Sequence, residues 1–366
     1  MIKFDSLSTV RTGGLFLMAK KHPSLFDVAN LAGVSLSTAS RVLGNSAYPV
    51  SAEIKKKVFA AADELRYYPG SQTAISPTPI IGVIVPTLQN PFFNEVTIGI
   101  EASASKFGYQ IMVFSSHRSV EEERKNINVL LRTRVRALII ISIDSNSDTL
   151  DHFILCGGRV ALLESDFKLK NSIIARTNYT LAGRLAAEHL ISCGHRNIAF
   201  FSSPLTKSYR RAILLGVEET LKEVGTPLSE KSIFIAKGEK ESDTGHYEFE
   251  MGKQLVQEFL PQWHYYTAII AINDLTALGI IQALSQKGIS IPGDISVISF
   301  DNIPYSGMIY PALTTIELPA SSLGFTVCNM LINSLSTKEE GLSGIVFEYE
   351  GKLIERASVV HIHRAF

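Results

Sequence analysis

The feature that most constrains this chain is a series of short apolar segments alternating with longer amphipathic ones. Seven continuous apolar runs lie between residues 80 and 300: Ile80–Val85, Ile111–Phe114, Ala137–Ile141, Val160–Leu163, Ile198–Phe201, Ala268–Ile272 and Val297–Phe300. Between them lie segments with helical periodicity, such as Asn94–Phe107, Thr180–Cys193 and Leu275–Lys287. Apolar strands that alternate with helices predict parallel sheets covered by helices on both faces.

The length of this region adds a second constraint. The chain has 366 residues, which exceeds the size at which a single hydrophobic core stops growing. Residues 80–366 are too many for one open sheet, so the pattern predicts two α/β lobes with a cleft between them. Ligands of such folds bind at the carboxyl ends of the strands.

A different pattern precedes the sheets. Residues 25–67 predict three short helices, with Gly33 ending the first and Ser51 capping the third. In the second helix the small or cationic side chains of Ser37, Thr38 and Arg41 fall on the face opposite its apolar stripe. Two helices joined by a short turn containing glycine are typical of a helix-turn-helix, whose second helix enters the DNA major groove. The alternative is an ordinary helical hairpin with a solvated polar face.

The distribution of charge favours the DNA-binding alternative. Over the whole chain 35 basic and 35 acidic residues cancel, but residues 1–79 carry nine Lys or Arg and five Asp or Glu. A basic terminal segment on an acidic body indicates a module that binds a polyanion. The connector from Gly70 to Pro79 contains Ser76-Pro77-Thr78-Pro79, which cannot continue a helix.

Several classes of protein are excluded by what the sequence lacks. No apolar run is long enough to cross a membrane, so we expect no membrane partner. The three cysteines, Cys156, Cys193 and Cys328, are scattered, which disfavours a disulfide framework or a zinc site and fits a reducing cytoplasm. His361 and His363 alternate on a predicted strand, but a metal site needs more ligands. No nucleophile elbow or phosphate loop occurs, so we expect neither an enzyme nor a cofactor.

Specific motifs go beyond these general patterns. In the first part of the chain they are Leu25–Ala29, Ala32–Ser35, Ser40–Leu43, Val50–Ser51 and Leu65–Pro69. In the remainder they are Ile81–Pro86, Asn90–Phe93, Leu190–Ile191, Gly194–Arg196, Asn273–Asp274, Asp294–Val297, Phe300–Asn302 and Pro311–Ile316. In this order the motifs closely resemble the lactose/galactose repressor family over about 340 residues. The resemblance implies a dimeric bacterial transcription regulator whose body is similar to periplasmic sugar-binding proteins.

The resemblance also assigns expected roles to residues of the headpiece. Leu36 and Ser37 occupy the family's principal base-reading positions, and Arg41 matches its arginine in the groove. The positions of its phosphate contacts are held by Ser35, Thr38 and Ser40. An aliphatic chain such as that of Leu36 can only meet a thymine methyl group or another apolar edge.

The connector departs from the family pattern. Gly70 replaces the usual Asn, Ser76 falls at the position of the leucine that inserts into the minor groove, and the segment is about three residues short. Ile75 is the only large apolar side chain between Gly70 and Pro79, so it is the candidate for that insertion. The alternative, which Gly70 and the prolines favour, is a tether without a hinge helix.

The expected effector cleft is also partly altered. Family motifs place Phe92, Asn273 and Asp301 at the effector, a combination that suits a sugar, and Asn178 matches half of an Asp-Asn pair. Thr87, Thr177 and Ile213 replace an acid or amide, an aspartate and an arginine, and Lys240 stands where an aromatic residue is common. With the nearby Arg210 and Arg211, these changes allow an anionic ligand such as a sugar acid or sugar phosphate. The alternative is that Lys240 points to solvent and the site is weakened.

Together, these observations predict an α/β protein with a three-helix helix-turn-helix headpiece and a two-lobed periplasmic-binding-protein-like domain. The predicted segments are an N-terminal extension (1–22), a DNA-binding domain (23–69), a hinge or linker (70–79) and an effector-binding and dimerisation domain (80–366). We expect a cytoplasmic homodimer that represses transcription at a near-palindromic DNA operator under the control of a small sugar or sugar derivative. The alternative is a solute-binding protein of the same two-lobed fold without a regulatory role.

Overall fold

A computed structural model of the chain describes residues 23–44, 50–65, 67, 79–165, 169, 172–238, 246–336 and 345–362. The chain divides into two compact units, one within residues 1–74 and the other within residues 75–366. Among the described residues, no helix has the length and apolar character needed to cross a bilayer. No group of three or more His, Cys, Asp or Glu side chains suited to a metal ion occurs in the same part of the chain.

The first unit contains helices α1 (Leu25–Ala32), α2 (Leu36–Leu43) and α3 (Ala52–Glu64). Ser24 and Asp27 form a capping box at the start of α1, and Gly33 ends that helix with a positive φ of 65°. The three helices enclose a small core of Val28, Ala29, Ala39, Val42, Val58, Ala61 and Ala62. The arrangement is the predicted helix-turn-helix with a supporting third helix.

The second unit holds two sheets, and the first of them forms the N-terminal lobe. Its strands are β1 (Ile80–Val85), β2 (Gln110–Ser115), β3 (Ala137–Ile140), β4 (Arg159–Leu163), β5 (Ser172–Thr177) and β11 (Ile345–Tyr349), in the order β11-β5-β4-β3-β1-β2. All the pairings in this sheet are parallel. Its helices are α4 (Pro91–Lys106), α5 (Val120–Arg132), α6 (Asp148–Leu155) and α11 (Ala320–Ser336). Gly99 allows α4 and α11 to approach closely, since a Cβ there would lie 2.0 Å from the Ser321 carbonyl oxygen.

The other sheet forms the C-terminal lobe. Its strands are β6 (Ile198–Ser202), β7 (Ile233–Ile235), β8 (Ala268–Ala271), β9 (Ser296–Asp301), β10 (Thr314–Glu317) and β12 (Lys352–Ile354), in the order β12-β10-β9-β8-β6-β7. Only the pairing of β10 with β12 is antiparallel among the described strands of this sheet. Its helices are α7 (Tyr179–Ser192), α8 (Ser208–Glu223), α9 (Tyr247–Phe259) and α10 (Asp274–Gln286).

The chain crosses between the lobes three times, after β5, after β10 and between β11 and β12. This topology brings the carboxyl ends of both parallel sheets to a common cleft, where loops that follow the strands carry the lining side chains. The predicted two-lobed α/β domain is therefore confirmed. All seven apolar runs identified in the sequence correspond to strands of the two sheets.

Candidate functional site

The outward face of α2 carries the side chains expected to meet DNA. Leu36 is 49% exposed although it is aliphatic, and Ser35, Ser37, Ser40 and Arg41 are exposed as well. Thr38 is half-buried. The predicted DNA-contacting residues of this helix therefore share one accessible face, while Ala39 and Val42 face the core. Ile75 lies outside the described residues.

The start of α2 is organised by its serine cap. Ser35 Oγ accepts a hydrogen bond of 3.1 Å from the backbone N–H of Thr38, which satisfies a free donor of the first turn. The same hydroxyl lies 2.9 Å from Ser37 Oγ and 2.8 Å from Thr38 Oγ1. No acidic residue lies in the first turn of α2. This hydroxyl cluster at a helix N-terminus is well suited to phosphate oxygens.

The cleft of the second unit has a cavity volume of about 70 Å³ and is open to solvent. Three of the sequence-predicted effector residues, Phe92, Asn273 and Asp301, line it. Asn178 does not line the cleft but lies in an adjoining groove. It caps α7, where its Oδ1 accepts a hydrogen bond of 2.9 Å from the backbone N–H of Leu181. Lys240 lies outside the described residues.

Aromatic and apolar side chains form much of the cleft wall. Asn90 Oδ1 accepts a 3.0 Å hydrogen bond from the backbone N–H of Phe92, which fixes the turn that places this ring at the cleft. Across the cleft, the rings of Tyr179 and Tyr209 have centroids 5.3 Å apart. Ile213 is buried in the same wall. Such surfaces can cover the apolar face of a sugar ring.

Asn273 and Asp301 are held by the ends of β8 and β9. Asn273 Oδ1 caps α10 and accepts two hydrogen bonds from Thr276, one of 2.9 Å from its backbone N–H and one of 2.7 Å from its hydroxyl group. Asp301 has a positive φ of 111°. Burial first, and then the charges of the neighbouring carboxylates of Asp274, Glu248 and Glu164, raise the pKa of Asp301 well above its ordinary value.

A second carboxyl group enters the cleft after β4. Thr177 donates to Glu164 through its backbone N–H at 3.2 Å and its hydroxyl at 2.9 Å. Tyr179 also donates a hydrogen bond to this carboxylate. Burial nevertheless raises the pKa of Glu164 to about 7. Thr177 therefore orients the Glu164 side chain in the cleft.

Cationic side chains also reach the cleft, but each has acceptors within the chain. Arg118 forms a buried ion pair with Glu248 across the cleft. Lys207 donates a hydrogen bond of 2.8 Å to the carbonyl oxygen of Ile143, and Arg210 donates one of 2.8 Å to the carbonyl oxygen of Pro204. Arg211, in contrast, lines the adjoining groove with Asn178.

Several residues that line the cleft were not identified from the sequence, and the main ones are Arg118, Glu164, Tyr179, Lys207, Tyr209 and Glu248. Glu164 directly follows an apolar strand, which is a signal that sequence reading could have used. The others lie at helix starts or in loops, where periodicity gives no direction for a side chain.

Two family models match the chain. The model described as bacterial regulatory proteins, lacI family, matches residues 24–70. The model described as periplasmic binding proteins and sugar binding domain of LacI family matches residues 78–347. The chain belongs to the lacI family of bacterial regulatory proteins. It is a DNA-binding transcription regulator with a ligand-binding domain, rather than an enzyme.

Individual relatives agree with this membership. The HTH-type transcriptional repressor PurR of Pasteurella multocida (strain Pm70) is 31% identical over 338 residues, which cover 91% of this chain and 97% of the relative. A LacI family regulator from Enterococcus faecium, solved with bound ribose, is 26% identical with a TM-score of 0.68, covering 78% of this chain and 100% of the other. A regulator from Alkaliphilus metalliredigens QYMF, complexed with D-xylulofuranose, is 26% identical with a TM-score of 0.65. The match covers 77% of this chain and 99% of the other.

Proposed function

We infer that this lacI-family repressor binds a near-palindromic operator as a homodimer and that a small effector in the interlobe cleft controls its operator affinity. The observation that carries this proposal is a single cleft to which both lobes contribute side chains, with Phe92 and Glu164 from one lobe and Asp301 from the other. A ligand that contacts both lobes favours one lobe arrangement over another, and a dimer converts that preference into a change at its DNA-binding surfaces.

The composition of the cleft supports a neutral polyhydroxylated effector. Glu164 and Asp301 supply oxygens for ligand hydroxyl groups, and Phe92 supplies an apolar face. The two relatives solved with ribose and D-xylulofuranose hold neutral sugars, which is the same class of ligand.

An anionic effector is the second candidate, and the described charges make it the weaker one. An anionic effector requires cations such as Lys240, Arg210 and Arg211 in the cleft, but Arg211 lines the adjoining groove instead. The guanidinium of Arg210 donates to the carbonyl oxygen of Pro204 and to the hydroxyl of Tyr209. The other described cations of the cleft are Arg118, which pairs with Glu248, and Lys207, which donates to the carbonyl oxygen of Ile143.

The operator half of the proposal is tested by gel shift. The full chain is titrated onto its own promoter region, with and without unrelated competitor DNA. We expect a complex that survives competitor and gives a two-fold footprint. A solute-binding protein without a regulatory role, which the match at residues 24–70 disfavours, would form no such complex.

The effector half is tested by thermal-shift screening of neutral sugars, sugar acids and sugar phosphates, followed by calorimetry. Asp301→Ala should weaken binding of the selected neutral sugar by at least about tenfold, because a ligand hydroxyl group loses its hydrogen-bond partner inside the cleft. Asp148→Ala, at the exposed start of α6, is the control and should leave affinity unchanged. Addition of the ligand to the gel shift then shows whether it induces or co-represses.

A further inference from the structure

The cleft contains one buried ion pair that joins the two lobes. Arg118 lies in the loop after β2 of the N-terminal lobe, and Glu248 lies in the first turn of α9 of the C-terminal lobe. Their side chains are 7% and 6% exposed, and both line the cleft. Neither a guanidinium nor a carboxylate is stable in such a position without a charged or hydrogen-bonding partner.

The surroundings of this pair resemble those of a bound anion. The guanidinium of Arg118 lies 5.4 Å from the centre of the Tyr247 ring, which holds the cation against an aromatic face. Asn90 Nδ2 donates to the same carboxylate oxygen of Glu248 at 3.4 Å, a long contact. A cation that lies over an aromatic ring and an amide donor therefore both contact one carboxylate inside a ligand cleft.

We propose that Glu248 is a built-in occupant of an anion-binding position at Arg118, and that it makes the cleft select neutral over anionic ligands. The proposal rests on the proposed function in one respect, that ligands enter this cleft. While the Glu248 carboxylate is bound to the Arg118 guanidinium, the carboxylate or phosphate of a ligand cannot bind at that position. The negative charge of Glu248 also repels such a ligand. The same contact holds the two lobes together before any ligand arrives.

Removing the carboxylate should therefore expose an anion site. In Glu248→Ala the missing atoms have the size and charge of an acetate ion, and Arg118 would remain buried without that partner. Acetate in the buffer should then bind at the vacated position and restore stability, because ligands that bind only the folded state raise its unfolding temperature. Acetamide has nearly the same shape but no charge, and it should not do so.

The test compares thermal unfolding of the full-length wild type and Glu248→Ala in acetate and in acetamide at equal concentration. We expect acetate to raise the unfolding midpoint of Glu248→Ala by about 3 °C or more beyond its effect on the wild type. Glu250→Ala is the matched control, since Glu250 lies on the same helix but is 44% exposed and pairs with Lys253. It should respond as the wild type does. The double variant Arg118→Gln/Glu248→Ala should lose the rescue.

The proposal is overturned if acetate and acetamide act equally on Glu248→Ala, or if the rescue persists without Arg118. Should Glu248→Ala fail to fold at any acetate concentration, Glu248→Ser keeps a hydroxyl group on this side chain while vacating the carboxylate position, and calorimetry with inorganic phosphate replaces the rescue. Phosphate should bind Glu248→Ser at least about tenfold more tightly than it binds the wild type, since charged hydrogen bonds are gained. Equal affinities would refute the proposal. A failure of the effector screen leaves these results unaffected, so the two proposals fail separately.

Discussion

Lys207 and Ile143 are joined by a hydrogen bond of 2.8 Å from the lysine Nζ to the isoleucine carbonyl oxygen. Lys207 immediately precedes α8 in the C-terminal lobe, and Ile143 lies in the loop after β3 in the N-terminal lobe. The bond therefore crosses the cleft that both residues line. It is a second interlobe contact, separate from the ion pair of Arg118 with Glu248.

This contact leads to a prediction about lobe closure. Lys207→Met keeps the aliphatic stem but removes the donor, so the closed arrangement should lose one charge-assisted hydrogen bond. We expect effector affinity to fall about 5- to 30-fold and the scattering radius to increase, since such bonds contribute about 1–2 kcal/mol when partly exposed. Arg211→Met is the control, because Arg211 bonds the carbonyl oxygens of Leu205 and Thr206 within its own lobe. Equal effects of the two substitutions on affinity and on small-angle scattering would contradict the prediction.

The carboxyl group of Glu164 predicts a pH dependence of stability. Its pKa is raised by burial from 4.5 to about 7, so the folded state favours the protonated form more than the unfolded state does. The contribution of protonated Glu164 to the stability of the folded state is fully present below about pH 4.5 and is lost as the pH rises through 7. Glu164→Gln, which cannot ionise, should therefore raise the free energy of unfolding at pH 8 by up to about 3 kcal/mol and have a much smaller effect at pH 5.

Urea unfolding at the two pH values measures this difference. Glu121→Gln is the control, since the Glu121 side chain is 78% exposed on the first turn of α5. Its substitution should show no comparable dependence on pH. A gain in stability of Glu164→Gln that is the same at pH 5 and pH 8 would show that Glu164 is ionised in the folded protein across this range.

The sequence predicts the fold well where apolar segments are long and continuous. Strands such as β1 and β8 are buried on both faces, and that environment requires the uninterrupted apolar runs by which they were recognised. The strands that were not predicted lie towards the sheet edges or are short or mixed in composition. Among them, β5 carries an exposed Arg176, and β12 has only three residues.

The cleft is less predictable, because its side chains come from loops and helix starts. The motifs identified Phe92, Asn273 and Asp301, which follow or end recognisable strands or begin a helix. Nothing local in the sequence indicates that Arg118 meets Glu248, since 130 residues separate them and their proximity depends on how the two sheets face each other. For Asn178 the motif predicted a place in the cleft, but its side chain caps a helix instead.

An exposed apolar surface predicts where a second copy binds. In the short 3-10 turn at Pro304–Gly307 and the loop that follows it, Met308 is 75% exposed and Tyr310 is 97% exposed. Two large side chains this exposed within three residues of sequence indicate a protein interface. Met308→Asp should therefore shift sedimentation from dimer to monomer by burying a charge in that interface. Leu155→Asp is the control, because Leu155 is 72% exposed on α6 and should leave the dimer intact. Dimerisation unaffected by Met308→Asp would place the interface elsewhere.

The connector yields a prediction about DNA shape. If Ile75 inserts between base pairs, the operator is kinked and Ile75→Ala relaxes the kink, because unstacking a base step requires an apolar insertion. If Gly70 and the prolines keep the connector a tether, the operator stays straight and the substitution changes little. We expect the tether. A circular-permutation bending assay on wild type and Ile75→Ala separates the two outcomes, and a bend angle that falls in the variant would establish the insertion.

The recognition helix gives the most direct test of DNA reading. Arg41 lies on the exposed face of α2, and a guanidinium that reads a base edge contributes about 1–3 kcal/mol of discrimination. Arg41→Ala should therefore weaken operator binding by roughly 5- to 150-fold while changing binding to unrelated DNA much less. Lys57→Ala is the matched control, since Lys57 is exposed on α3 and pairs with Glu53. Fluorescence anisotropy with operator and scrambled duplexes at one salt concentration measures both affinities. An equal loss on the two duplexes would assign Arg41 to the phosphate backbone, and no loss on either would remove it from the interface.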